Sequence, residues 1–177
     1  MAKPALRSSA IMRSNLAIHA PVPEPQRAPD LSLVVPAYNE EASLPALFDR
    51  IVETLGDRLP WELILVDDGS RDRTAERATA LSKRDSRVRA VSLVRNSGQT
   101  TATRVGIELA RAPLIATLDA DLQNDPSDLP AMVDLLAENP GVHAIVGYRT
   151  VRRDNLVRRV SSRVGNAVRN RLSGDDI

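Results

Sequence analysis

Residues 31–70 read LSLVVPAYNEEASLPALFDRIVETLGDRLPWELILVDDGS and contain a complete strand–helix–strand unit. Leu31 to Val35 is a short apolar run stopped by Pro36, which reads as a buried strand. Leu44, Leu47, Phe48, Ile51, Val52 and Leu55 then recur at helical spacing, with Gly56 as the stop. Leu63 to Val66 is a second buried strand. Both strands are apolar at consecutive positions, as a sheet covered on both faces requires.

The same alternation continues outward. A weaker helix is expected over 72–83, a third strand over 88–94, and a helix marked by Ala102, Val105, Gly106 and Leu109. A fourth strand follows at Leu114 to Leu118, then a helix marked by Leu129, Met132, Val133 and Leu136, then a fifth strand at Val142 to Val146. Strands alternating with helices predict an α/β fold with a mostly parallel sheet and helices on both faces. Residues 1–30 stand apart. They hold Pro4, Pro21, Pro23, Pro25 and Pro29 and no acid before Glu24, and are expected to form a disordered Pro-rich extension.

Composition bounds the chemistry. The 177 residues carry a net charge of +1, which implies no general affinity for polyanions. The chain has no Cys, so a metal site would need oxygen or His ligands. No apolar run approaches the roughly 18 residues of a spanning helix. Aromatic residues make up 2%, too few for binding by base stacking.

In open α/β sheets ligands bind beyond the carboxyl ends of the strands. Those ends carry Pro36-Ala-Tyr-Asn-Glu-Glu41, Asp67-Asp-Gly-Ser70, Arg95-Asn-Ser-Gly-Gln99, Asp119-Ala-Asp-Leu-Gln123 and Gly147-Tyr-Arg149. All are polar, and the strand starts show no such concentration. Asp119 and Asp121 straddle one small residue. In extended backbone, residues two apart point the same way, so both carboxylates can meet one hard cation. The other reading is one Asp capping the next helix while its neighbour is solvated. Asp68 can accept hydrogen bonds from a base or ribose, or belong to a plain turn that Gly69 permits, with Ser70 or Asp72 starting the next helix. Tyr38 can pack on a base. Asn39 can cap a helix whose positive end suits Glu40 and Glu41. Arg149 can pair with a diphosphate or stand as a surface Arg.

Pro36–Glu41, Val66–Ser70, Arg95–Gly98 and Asp119–Gln123 occur in an order and spacing that resembles family 2 glycosyltransferases. The variant is similar to the polyprenyl-phosphate group, the dolichyl- and undecaprenyl-phosphate sugar transferases, from Leu31 to Ile177. The resemblance implies a GT-A-like domain over 31–177. It implies a nucleotide-sugar site made by Pro36, Tyr38, Glu40, Val66, Asp68, Gly98, Ala120, Gln123, Arg149 and Arg158. It also implies that Asp119 and Asp121, assisted by Gln123, hold Mg2+ or Mn2+ at the reacting diphosphate. The implied reaction moves a sugar from a UDP- or GDP-sugar to a lipid phosphate with inversion, at the cytoplasmic face of a membrane. In relatives, a stretch after the segment corresponding to Leu172–Ile177 carries a further strand and the base-side carboxylate. The expected unit is therefore the N-terminal part of a catalytic domain, and neither Asp175 nor Asp176 is assigned as base.

Between Arg149 and Leu172 lie eight Arg and one acid, with Leu156, Val160, Val164 and Val168 near helical spacing. Such a stretch can lie on an anionic membrane, or pack its Val face on protein. Two other functions stand beside the transferase. One is a nucleotidyltransferase, although the loop after the first strand is acidic and lacks the Gly-rich, basic character expected of one. The other is a donor-binding module without catalysis.

Overall fold

The computed structural model describes residues 16–18 and 28–147. In chain order the elements are β1 (Leu16–Ile18), β2 (Leu31–Ala37), α1 (Leu44–Leu55), β3 (Trp61–Asp67), α2 (Thr74–Arg84), β4 (Val88–Leu93), α3 (Gln99–Leu109), β5 (Leu114–Thr117), a 3-10 turn (Pro126–Asp128) and α4 (Leu129–Glu138). The five strands form one sheet in the order β1-β4-β3-β2-β5. β2 through β5 pair in parallel, and β1 joins β4 antiparallel. Leu16–Ile18, expected within an extension outside the fold, thus contribute an edge strand.

Position in the sheet explains the burial of each strand. β2 and β3 have a strand on either side and are buried at every residue. Alternate residues feed two cores. Leu33, Val35, Leu63 and Leu65 meet Leu47, Ile51, Ala78 and Leu81 of α1 and α2 on one face. Val34, Ile64, Val66 and Val91 meet Ala102 and Val105 of α3 on the other. A Cβ on Gly106 would lie 2.3 Å from Val34 Cγ1, so glycine there lets α3 settle close on β2.

β5 differs from expectation. Leu114 and Ala116 are half-buried, whereas Ile115 and Thr117 are exposed. Among the described residues it has one strand neighbour, β2. Val142 to Val146, expected as a fifth strand, forms none; Val142 and Val146 are exposed, and no ladder pairs this run among the described residues. Apolar, β-branched composition favours a strand only where a neighbour supplies the hydrogen bonds.

Pro36 lies inside β2 rather than ending it. Val34 O accepts from Leu118 N at 3.1 Å, so even-numbered backbone groups of β2 face β5. Pro36 therefore turns its missing N–H toward the side where β5 has already stopped, the last rung being Val34 with Thr117. Ala37, facing β3, still accepts from Asp68 N at 2.8 Å.

The chain steps from β2 to β3 to β4 with α1 and α2 on one face. It then returns past β2 to β5 with α3 on the other. Strand order thus reverses between β2 and β5. Right-handed crossovers on opposite faces leave a crevice beyond the strand ends at that point.

Candidate active site

The crevice is real and has a volume of about 360 Å3. The end of β2 supplies Pro36 to its wall, the loop after β2 supplies Tyr38 and Glu40, and the tip of β3 supplies Asp68. Gly98 comes from the start of α3, and Asp119, Ala120 and Asp121 from the segment after β5. Ala37, Asn96 and Gln99 complete the lining.

The loop after β2 is held by the loop after β3. Three successive backbone donors of the first are capped by side chains of the second. Asn39 N–H reaches Ser70 Oγ at 2.9 Å, Glu40 N–H reaches Thr74 Oγ1 at 2.8 Å, and Glu41 N–H reaches Asp72 Oδ2 at 3.2 Å. Asn39 Oδ1 accepts from Arg71 N–H at 2.9 Å, and Glu41 Oε2 from Arg73 N–H at 3.0 Å. Asn39 adopts φ 56°, a left-handed conformation that Asn tolerates better than most residues. It does not cap α1, because the helix starts at Leu44, after Ser43, and the Asn39 side chain is spent on the neighbouring loop. Tyr38 and Glu40 flank it and are carried into the crevice. Asp67, by contrast, turns away and accepts from Ser70 N–H at 3.2 Å within its own turn.

Asp72 anchors this junction. Partial burial pushes its carboxyl up. The Thr74 hydroxyl and the backbone N–H groups of Thr74 and Glu41 outweigh that and hold it below the ordinary value of 3.8. A carboxylate with a lowered folded pKa contributes fully above the ordinary value and loses that contribution as pH falls through the folded one. Asp72→Asn keeps the shape and removes the titration. It is expected to be less stable than the wild type at neutral pH and to approach it as pH falls below the ordinary carboxylate value of 3.8. Urea midpoints across that range check this; a gap that stays constant with pH would contradict it.

Asp68 is buried, and both its oxygens are taken. Ser97 N–H donates to Oδ1 at 2.8 Å and Gly98 N–H to Oδ2 at 2.9 Å. Gly69 follows with φ 65°, and a Cβ there would sit 2.4 Å from the backbone carbon of Arg95. The Asp-Gly pair therefore clamps the 95–98 loop against the tip of β3. Asp68 reaches the crevice as the pillar of that loop.

Asp119 and Asp121 share the crevice wall, but not by strand alternation. β5 ends at Thr117, a turn covers Ala120 and Asp121, and Leu122 follows with φ 60°. Asp119 Oδ1 accepts from Gln99 Nε2 at 2.6 Å and Oδ2 from Asn124 Nδ2 at 3.1 Å. Asp121 Oδ1 accepts from Gln123 N–H at 3.0 Å.

Two of the expected site residues have side chains outside the crevice lining. The Val66 side chain is fully buried in the core under α3. Gln123 is exposed and outside the crevice lining, meeting Asp121 through its backbone. Arg149, Arg158 and the basic 151–172 stretch lie outside the described residues. Sequence reading missed Gln99 and Asn96 as individual wall residues. Both stand in the polar 95–99 segment, but an amide carries no chemical signature of its own.

The crevice residues fit a particular kind of metal site. Among the described residues no cluster of three or more His, Cys, Asp or Glu side chains could hold an ion. Two carboxylates suit a hard cation that completes its shell with phosphate oxygens and water, as Mg2+ does.

The chain matches the sequence pattern described as Glycosyl transferase family 2 over residues 32–176. It is 44% identical over 154 residues to a dodecaprenyl-phosphate galacturonate synthase of Rhizobium johnstonii, covering 85% of this chain and 45% of that protein. It is 45% identical over 146 residues to an undecaprenyl-phosphate 4-deoxy-4-formamido-L-arabinose transferase of Pseudomonas aeruginosa, covering 81% and 42%. The chain thus spans less than half the length of these relatives. Among solved structures it resembles the mannosyltransferase PcManGT from Pyrobaculum calidifontis in complex with GDP-Man and Mn2+. There the TM-score is 0.53 at 26% identity, covering 65% of this chain and 34% of that one. It shares its fold with S. aureus TarS 1–349 in complex with UDP-GlcNAc, with a TM-score of 0.54 at 20% identity, covering 71% and 38%. The parallel sheet, the crevice at its switch point and these relationships agree: the GT-A-like fold is present, and the chain belongs to glycosyl transferase family 2.

Proposed function

We propose that this chain binds a nucleoside-diphosphate sugar together with Mg2+ or Mn2+ in the β2/β5 crevice. It then serves the transfer of the sugar, with inversion, to a polyprenyl-phosphate acceptor. The observation that carries the reading is the charge of the crevice. Among the described residues, Glu40, Asp68, Asp119 and Asp121 line it and no Lys, Arg or His does. A diphosphate in such a place is repelled unless a divalent cation accompanies it. The relatives' names supply the acceptor class, and the Mn2+ bound with GDP-Man in the mannosyltransferase supports the cation.

In this reading Asp119 and Asp121 hold the cation. When bound, it supplies Lewis-acid stabilisation of charge on the leaving diphosphate. Tyr38 lies along the base, with Glu40 and the Asp68-clamped loop shaping the nucleoside side of the crevice. Gly98, with φ 90° and no neighbour within 4 Å of a Cβ placed on it, leaves open space beside the donor. Among the described residues no helix is long and apolar enough to cross a membrane. In this reading the acceptor is met at the membrane surface, with 151–172 as the contact.

Calorimetry with a panel of UDP- and GDP-sugars tests this. Binding is expected with Mn2+ or Mg2+ and to be lost on chelation, and Asp121→Asn is expected to abolish the difference. Equal binding with and without metal in the wild type would remove the role given to the two aspartates. Transfer of labelled sugar to polyprenyl phosphate in vesicles then separates a transferase from a donor-binding module.

A further inference from the structure

We infer that Gln99 is a positioning residue for Asp119, holding its carboxylate in the orientation that receives the divalent cation. The inference rests on the proposed reading of the crevice. Asp119 follows a short edge strand with only one strand neighbour among the described residues, so its backbone is weakly constrained. Its side chain is instead held at both oxygens by neutral amides, Gln99 at 2.6 Å and Asn124 at 3.1 Å. Each carboxylate oxygen has two lone pairs, so one amide bond per oxygen leaves capacity for a cation. A Lys or Arg in place of Gln99 would hold the carboxylate equally well but would set a positive charge against the cation. An amide orients the carboxylate without that conflict.

Gln99 is itself firmly placed. It is the first residue of α3, directly after Gly98, whose N–H is bound by buried Asp68. Asp68, Gly98, Gln99 and Asp119 thus form one hydrogen-bonded path from the tip of β3 to the end of β5, across the point where the strand order reverses. The two walls of the crevice are tied together through this amide. A carboxylate that binds a metal depends on such outer partners, and losing one lowers metal affinity by about 10–100-fold.

The test measures Mn2+ uptake by electron paramagnetic resonance, in the presence of UDP and in parallel GDP, for the wild type, Gln99→Met and Gln99→Ala. Methionine preserves length and removes the donor, and both residues suit a helix start exposed to solvent. Each variant is expected to lose about 10–100-fold in Mn2+ affinity while its thermal midpoint stays at the wild-type value. Mn2+ affinity within about twofold of the wild type in either folded variant would overturn the inference and leave the proposed function standing. A wild type that takes up no Mn2+ with either nucleotide would overturn both. If one variant fails to fold, the other decides.

Discussion

Replacing Glu62 by alanine is expected to destabilise the chain by about 3–5 kcal/mol, although Glu62 lies at the end of the sheet away from the crevice. Its carboxylate is buried in β3 and serves three donors. Ser32 Oγ–H reaches Oε1 at 2.7 Å, Arg111 N–H reaches Oε1 at 2.8 Å, and Arg89 Nη1 reaches Oε2 at 3.3 Å. The Arg89 side chain is only 11% exposed. Burial, and secondarily Arg111, push the Arg89 pKa down, and Glu62 opposes both. Removing Glu62 leaves an uncompensated guanidinium whose Nε is already buried without a hydrogen-bond partner among the described residues. The remaining contact from Arg89 Nη1 to Leu109 O, at 2.7 Å, cannot neutralise it.

Breaking a buried pair differs from replacing it. The triple change Ser32→Ala, Glu62→Leu and Arg89→Met removes the buried charges together and is expected to recover part of the loss, because the Arg111 and Ala112 N–H groups still lose their side-chain acceptors. Urea unfolding of the two proteins makes the comparison. A Glu62→Ala protein within about 1 kcal/mol of the wild type would show that water reaches the pair. The network also holds the α3–β5 connection, because Ala112 N–H donates to Ser32 Oγ at 3.0 Å. Its loss is expected to loosen β5 first, visible as faster amide exchange there.

The second large effect is expected at Asp68. Each of its oxygens accepts one backbone N–H, and hydrogen bonds to a charged acceptor contribute about 1.5–3 kcal/mol each. Asp68→Ala is expected to cost about 3–5 kcal/mol, because the Ser97 and Gly98 donors lose a partner that water reaches poorly. Asp68→Asn keeps one acceptor and turns an NH2 toward the other donor, so about half the loss is expected. Amide exchange at Ser97 and Gly98 should rise in both variants. Nucleotide binding should fall with it, because the 96–99 wall of the crevice is then free to move. Stability and exchange that match the wild type in Asp68→Ala would show that the loop is held by something else.

The helices were legible because their signal is local. The spacing of Leu44, Leu47, Phe48, Ile51 and Leu55 states both the helix and the face it buries, and all five are buried. Strand identity was legible for the same reason, but strand ends were not. β2 runs through Pro36 and β3 begins at Trp61, because pairing partners extend them. Val142 to Val146 has strand composition and no ladder among the described residues, which composition has no means of registering. Four of the five strand-tip segments quoted from the sequence supply residues to the acidic crevice. Its members were read less well. Val66 adjoins Asp67 in the motif and points the other way, into the core. Asn39 has the look of a helix cap and instead ties two loops together.

By itself the sequence determined the α/β alternation, the two-sided burial of the central strands and the polar segments at their carboxyl ends. Each of these follows from side-chain chemistry within a few residues. Only the tertiary structure decided that β5 lies beside β2, that the crevice opens between them, and that Asp68, Gln99 and Asp119 are joined across it. The links through Asp68, Gln99 and Asp119 join residues 20 and 30 positions apart, and the pairing of β2 with β5 joins residues 83 apart, Leu31 with Leu114. Hydrogen bonds at that range are selected by the packing of the whole sheet and leave no periodic trace along the chain.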